Sequence, residues 1–171
     1  MATSKDITII AHNIRSSHNV GSIFRTAEGM AVSKIYLTGI TPYPISKEDK
    51  RLPYVAKKVN EKILKTSLDS EKYIDWEYQK NIKSVISQLK SQGYSIVSVE
   101  QSKKSSDLDI FILPKKIAYI FGNEIKGINR EVLQLSDHIV SIPMLGKKES
   151  FNVAQTVAMT LYRSRYLAII P

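Results

Sequence analysis

The chain has 171 residues, no cysteine and a formal net charge of +9. This length predicts a single domain, and the lack of cysteine excludes disulfide bonds and thiolate catalysis and is typical of a reducing, cytoplasmic location. The first apolar run is too short for a signal peptide or a membrane span, so we expect no membrane association. The excess of lysine favours a polyanionic partner, although a lysine-rich solvated surface explains it about equally well.

Short apolar runs alternate with amphipathic stretches along the chain, which is typical of an α/β fold with a parallel sheet. Strands are predicted at residues 7–11, 35–37, 94–99, 117–121 and 138–142, with a short strand or ordered anchor at 72–78. Helices are predicted after the first strand, from 82 to 93 with Asn81 as N-cap, around 130–135 and at 151–169. We expect residues 41–75 to be irregular, because they are rich in proline and lysine, and residues 103–109 to form a polar linker.

The first helix places Ser22, Arg25 and Gly29 on its polar side, opposite an apolar face. A single helical arginine is most often half of a surface ion pair, but its planar guanidinium also suits a phosphate or a developing oxyanion. Asn19 is expected to be the N-cap of this helix. Gly21 is expected to leave room for a ligand or for another backbone.

Two more polar blocks lie where predicted strands end, at residues 120–127 (IFGNEIKG) and 142–154 (IPMLGKKESFNVA). Taken alone, Gly-Asn is ordinary turn chemistry, Ser150 would cap the last helix, and Asn152 would lie in its first turn. Since parallel strands end at one edge of a sheet, these two blocks and residues 13–28 together predict one composite site.

Several common kinds of site are missing from the sequence. It contains no GxxxxGK[ST] phosphate loop, no GxGxxG after the first strand and no GxSxG around a serine. His12, His18 and His138 lack the spacing of metal ligands, so no metal site is expected.

In this order, the three blocks resemble the three motifs of the SpoU/TrmH-type RNA ribose methyltransferases of the SPOUT superfamily. The resemblance covers nearly the whole chain and lies in Asn13, Asn19, Gly21 and Arg25, then GNE at 122–124, then SFNV at 150–153. It implies an α/β fold with a mostly parallel sheet flanked by helices and a C-terminal trefoil knot. It further implies one methyltransferase domain over residues 1–171, without a separate RNA-binding extension, and a homodimer with the site near the interface.

The resemblance assigns a role to each matching position. Catalytic roles fall on Arg25, Asn19 and Glu124. The cofactor S-adenosyl-L-methionine would contact residues of the second and third blocks: Gly122, Asn123, Ile142, Leu145, Gly146, Ser150 and Asn152. Ile125 stands where the second motif commonly has glycine, so we expect a stiffer or differently shaped loop; Phe151 and Ala154 replace Leu and Ser of the third motif.

The implied reaction is methyl transfer to a ribose 2′-hydroxyl, of tRNA first and of rRNA as the alternative. A guanidinium keeps its proton up to a pH above about 12, so Arg25 is expected to position an RNA phosphate and stabilise developing negative charge rather than act as a base. The alternatives from other classes are base methylation by the same fold, a non-catalytic RNA-binding relative, and a structural or partner-binding protein without an RNA role.

Overall fold

The computed structural model describes residues 5–167, which form one sheet of seven strands. The strands are β1 (Asp6–His12), β2 (Lys34–Thr38), β3 (Asp75–Gln79), β4 (Ser95–Val99), β5 (Ser106–Asp107), β6 (Lys116–Phe121) and β7 (His138–Ser141). They lie in the order β3-β2-β1-β6-β4-β7-β5, and every pair of neighbours is parallel. The predicted α/β class with a parallel sheet is confirmed, and the trefoil knot, with which this fold is consistent, stays a prediction.

Helices cover both faces of the sheet. They are α1 (Ser17–Gly29), α2 (Pro53–Ser67), α3 (Ile82–Ser91), α4 (Arg130–Leu135) and α5 (Val153–Tyr166). One core holds apolar residues of α1, α2 and α5, and the core on the opposite face holds those of α3 and α4. The central strands β1 and β6 are buried on both faces, which explains why both are almost continuous apolar runs.

The expectation that residues 41–75 are irregular is wrong, because α2 and a short 3-10 turn at Ser70–Lys72 lie within them. Pro53 occupies the first turn of α2, where the missing N–H costs no hydrogen bond. Only a narrow stripe of α2 is buried, at Ala56, Ile63 and Ser67, and lysines cover much of the rest. This composition hides the helical periodicity.

The other boundaries differ by a few residues. The polar linker predicted at 103–109 contains the two-residue strand β5, which is too short to show a period. Asn81 is confirmed as the N-cap of α3, where its side chain accepts from the Lys83 N–H. Helix α5 is predicted to end at residue 169, which lies outside the described residues. No helix within residues 5–167 is long and apolar enough to cross a bilayer.

Candidate functional site

A cleft of about 260 Å³ opens at the edge of the sheet where β6, β4 and β7 end. Its lining includes Glu100 and Gln101 after β4, Gly122, Asn123, Glu124 and Ile125 after β6, and Ile142, Ser150 and Thr156 from β7 onward. The walls are partly apolar, with Val99, Phe121 and Val153. The second and third polar blocks therefore meet in one cleft, as the sequence predicts.

Glu124 connects the second block to the first. Its carboxylate accepts hydrogen bonds from the backbone N–H of Arg15 at 2.8 Å and of Ser16 at 3.1 Å, and from the side-chain amide of Asn19 at 2.9 Å. Two of these donors belong to the loop that leads into α1, and Asn19 belongs to its first turn. The carboxylate thus fixes where α1 begins relative to the cleft.

The hydrogen bonds also set the charge of Glu124. Burial alone raises the pKa of this carboxyl group, but the bonds from Arg15, Asn19 and Ser16 outweigh burial, so its pKa lies below the usual value. Glu124 is therefore an anion at neutral pH and a hydrogen-bond acceptor only.

Asn19 joins all three blocks. Its amide group donates to Glu124, and its carbonyl oxygen accepts from the side chain of Asn152 at 3.2 Å. The expectation that Asn19 caps α1 is wrong: Ser16 is the N-cap, and its hydroxyl accepts from the Asn19 N–H. The Asn19 side chain is free to reach the other blocks because the serine satisfies the helix end.

The cap of the last helix differs in the same way. Asn152, and not Ser150, is the N-cap of α5, and it accepts from the Ala154 N–H at 2.9 Å. Ser150 is exposed and lines the cleft. Ser150 therefore takes no part in capping α5 and borders the space that a ligand would take.

The loop after β6 is closed by Asn123 and Gly127. Asn123 donates to the carbonyl of Asn13 at 2.8 Å, and its own carbonyl oxygen accepts from the N–H groups of Ile125 and Lys126. Gly127, at φ +64, is the residue of this loop that needs the left-handed region. Ile125 is not among the residues with positive φ and is 74% exposed, so it replaces glycine without backbone strain and adds an apolar side chain to the rim.

Gly21 faces α2. A Cβ at this position would lie 2.2 Å from the carbonyl oxygen of Ile63, so only glycine lets the two helices approach this closely. The sequence predicts that Gly21 leaves room for a ligand or for another backbone, and the structure shows the second, with the backbone of α2.

Five predicted site residues do not line the cleft. Asn19 and Asn152 are joined to it through Glu124, whereas Arg25, Leu145 and Gly146 lie apart from it. Arg25 is exposed on α1 and has no salt-bridge partner within the described residues. Leu145 is 99% exposed, and nothing lies within 4 Å of a Cβ built on Gly146. Their predicted roles stay predictions. Residues 5–167 contain no group of three or more His, Asp or Glu side chains that could hold a metal.

Two residues of the site, Glu100 and Gln101, were missed by the sequence reasoning. Glu100 accepts from the Ile128 N–H at 2.7 Å and from the Gln101 N–H at 2.9 Å, and the Gln101 side chain donates to the carbonyl of Ile142 at 2.6 Å. Because β4 lies between β6 and β7, this pair connects the second block to the third. The available signal was a pair of polar residues directly after a buried strand.

The fold and the site together define an α/β protein with a composite ligand cleft at the carboxyl ends of parallel strands. The model of the SpoU rRNA Methylase family matches residues 6–162, so the chain belongs to this family.

Curated relatives agree with this assignment, and a solved structure shares the fold. The chain is 32% identical over 91% of its length to a tRNA (guanosine(18)-2′-O)-methyltransferase of Borreliella burgdorferi, and 29% identical over 94% to the enzyme of the same name from Aquifex aeolicus. It spans 64% and 69% of these two relatives. The crystal structure of an AdoMet-bound rRNA methyltransferase from Sinorhizobium meliloti has the same fold, with a TM-score of 0.79 at 21% identity over 93% of this chain and 55% of that one.

Proposed function

We propose that this chain transfers a methyl group from S-adenosyl-L-methionine to a ribose 2′-hydroxyl of RNA, with tRNA as the first candidate. The observation that carries the proposal is the contact of three distant blocks through Asn19, Glu124 and Asn152 beside a ligand-sized cleft. Membership of the SpoU family supports it, as do two relatives whose names give guanosine 18 of tRNA as the site. Ribosomal RNA is the second candidate, because the Sinorhizobium meliloti protein is named an rRNA methyltransferase.

The cleft has the donor set that a nucleoside-containing cofactor needs. Its volume of about 260 Å³ is near the lower end of ligand pockets, which begin at about 300 Å³, and its mouth is bordered by exposed residues. Apolar walls suit a base, while the hydroxyls of Ser150 and Thr156 and the backbone at Gly122 supply polar contacts. When bound, S-adenosyl-L-methionine supplies an electrophilic methyl group on a sulfonium centre.

The residues of the chain would bind the cofactor and position the ribose. Ser150 and Gly122 would hold the cofactor, with Ile142, Leu145 and Gly146 in the segment beside it. Asn19 and Asn152, joined at 3.2 Å and bound to Glu124 through Asn19, would lie beside the ribose. Much of the acceleration comes from holding the hydroxyl in line with the methyl group.

Arg25 acts on the RNA. Its guanidinium binds a phosphate and stabilises the negative charge that develops on the ribose oxygen as the bond forms. The hydroxyl proton passes to a phosphate or to water, since neither Arg25 nor the hydrogen-bonded Glu124 is a suitable acceptor. Glu124 acts through Ser16 and Asn19 by fixing the start of the helix that carries Arg25.

The chain works as a homodimer in the cytoplasm. The support for the dimer is the position of Arg25, which does not line the cleft of its own chain. A second copy packed near the cleft would bring another Arg25 toward it. Sedimentation of wild type at several concentrations measures this, and a chain that methylates RNA as a monomer contradicts it.

The test is methyl transfer from labelled cofactor to unmodified tRNA and rRNA pools, followed by mass spectrometry of the labelled nucleotide. We expect a 2′-O-methylated nucleotide in tRNA, and calorimetry to show cofactor binding without RNA. A methylated base would assign the chain to base methylation, and RNA binding without cofactor binding would make it a non-catalytic relative.

A further inference from the structure

A second, larger groove lies at the β3 edge of the sheet, between residues 43–50 and β3 itself. Its volume is about 690 Å³. It is lined by three aromatic residues and three lysines: Tyr43, Trp76, Tyr78, Lys47, Lys50 and Lys80. None of these residues has a role in the site described above.

The aromatic wall of the groove is preformed. The rings of Tyr43 and Tyr78 are stacked with centroids 4.1 Å apart, and the Arg51 guanidinium lies 3.6 Å from the centre of the Tyr43 ring. Arg51 is itself held by Asp49 through a 2.9 Å bond and by the Tyr43 carbonyl at 2.9 Å. Trp76 is fixed edge-on against Phe24 in the core, at 6.1 Å between centroids. Tyr43 therefore has both ring faces covered, by Tyr78 and by Arg51, and serves to fix Tyr78. The partly exposed rings of Tyr78 and Trp76 are the platforms on which a nucleic-acid base can stack.

The charges of the groove favour a phosphate chain. Two of its acids are engaged by cations, Asp49 by Arg51 and Glu77 by Lys34 at 3.1 Å. The three lysines are exposed and have no salt-bridge partner within residues 5–167. Only Glu48 opposes them, so the groove presents unpaired positive charge beside its aromatic wall.

The groove includes the carboxyl end of β3, so it opens at the same end of the parallel strands as the candidate site. The Tyr78 hydroxyl donates to the Gly39 carbonyl at 2.8 Å, and the next residue, Ile40, donates its N–H to Asn13 at 3.1 Å. Asn13 in turn accepts from Asn123 of the cleft loop. Three strand spacings separate β3 from β6, which is about 14 Å. One RNA strand can therefore cover both places with a few nucleotides.

We propose that this groove is an RNA subsite, in which an unpaired nucleotide next to the methylated one stacks on the aromatic wall while Lys47, Lys50 and Lys80 bind its phosphates. This deepens the proposed function and rests on it. Because β3 is the outermost strand of the sheet within residues 5–167, an extended peptide is the competing occupant, but the three lysines favour a polyanion.

Trp76 gives a direct readout, because it is the only tryptophan of the chain. Oligouridylate of ten nucleotides is titrated into the full chain while tryptophan emission and the anisotropy of an end-labelled oligonucleotide are followed. We expect emission to fall as the anisotropy saturates. The variant Lys47→Glu with Lys80→Glu is expected to bind about tenfold more weakly, with a salt slope lower by about 1.4, since each phosphate contact on a single strand contributes about 0.7.

The matched control is Lys115→Glu with Lys116→Glu, which reverses the same charge where β6 begins, at the amino-terminal end of the strands and away from the groove. It should keep both the quenching and most of the affinity, and thermal unfolding checks that both variants fold. Unchanged Trp76 emission at saturation, or equal loss in both variants, would overturn the subsite. Quenching by an uncharged extended peptide but not by oligouridylate would overturn it in favour of a peptide partner.

Failure of the subsite and failure of the proposed function are separable. A chain that binds S-adenosyl-L-methionine and methylates RNA without any Trp76 response retains the function and loses the subsite. If oligouridylate lowers Trp76 emission but the chain neither binds the cofactor nor transfers a methyl group, the subsite is retained and the proposed function is lost.

Discussion

The candidate site has an engaged part and an exposed part. Asn19, Asn123 and Glu124 are already held by hydrogen bonds to other parts of the chain, whereas Arg25 and Leu145 stand in solvent. The engaged residues fix geometry, because each bond joins segments more than a hundred positions apart. Within residues 5–167, Arg25 has no salt-bridge partner and Leu145 is 99% exposed, so neither side chain is held in place by the fold. Substitutions in the two parts should therefore differ in kind.

The largest effect is expected from Arg25→Ala in the exposed part. Loss of a group that stabilises developing negative charge should lower the single-turnover methylation rate on bound RNA about 100-fold or more. The free energy of unfolding should change by no more than about 0.5 kcal/mol, because Arg25 has no salt-bridge partner in residues 5–167. Arg25→Lys is the control for charge alone, and a full rate in Arg25→Ala would falsify the role.

Glu124→Gln should lower the stability of the fold as well as the activity. Glutamine can accept with its oxygen, but its NH₂ group would face an N–H donor of Arg15 or Ser16. We expect a loss of about 1–3 kcal/mol in urea unfolding, together with slower methylation. Glu131→Gln, which removes an exposed ion pair with Lys83, is the matched control and should cost less than about 1 kcal/mol. Equal stability in both variants would show that Glu124 does not anchor α1.

Glu100→Gln should weaken the cofactor cleft without touching the RNA side. The amide has one oxygen and cannot replace both carboxylate oxygens that accept from the Ile128 and Gln101 N–H groups. The hydrogen bond that joins the loop after β6 to the end of β4 is therefore weakened. We expect S-adenosyl-L-methionine affinity to fall about tenfold, or about 1.4 kcal/mol, and KM for the cofactor to rise while kcat changes less. Calorimetry measures the first and steady-state kinetics the second. A fall in kcat alone would assign Glu100 to the reaction instead of to positioning.

The sequence predicted some features of the site and missed others. The polar residues after the predicted strands indicated that the second and third blocks meet, because the carboxyl ends of parallel strands lie at one edge of the sheet for any loop conformation. The sequence did not predict that Ser16 would replace Asn19 as the cap, since both are good N-cap residues and tertiary hydrogen bonds decide between them. Glu100 and α2 were missed for different reasons: Glu100 belongs to none of the three blocks, and the lysines of α2 conceal its narrow buried stripe.

A smaller, pH-dependent effect should come from Glu124. Its hydrogen bonds hold the folded pKa below the ordinary value of 4.5, so its stabilisation is fully present above that pH and is lost as pH falls through the lower folded pKa. The difference in unfolding free energy between wild type and Glu124→Gln should therefore be largest near neutral pH and shrink in acid. Urea unfolding at pH 7, 5, 4 and 3 tests this, and a difference that grows with acidity contradicts the sign.

The smallest structural effect is expected from Gly146→Ala in the exposed part. A Cβ there meets nothing within 4 Å and the residue does not need positive φ, so unfolding free energy should change by no more than about 0.5 kcal/mol. Any loss of S-adenosyl-L-methionine affinity in calorimetry would then reflect a changed contact with the ligand and not a change in the fold. Gly127→Ala is the contrasting variant, because its φ of +64 and the nearby Glu100 carboxylate make it costly before any ligand binds. Unchanged cofactor affinity in Gly146→Ala would contradict the contact predicted between Gly146 and the cofactor.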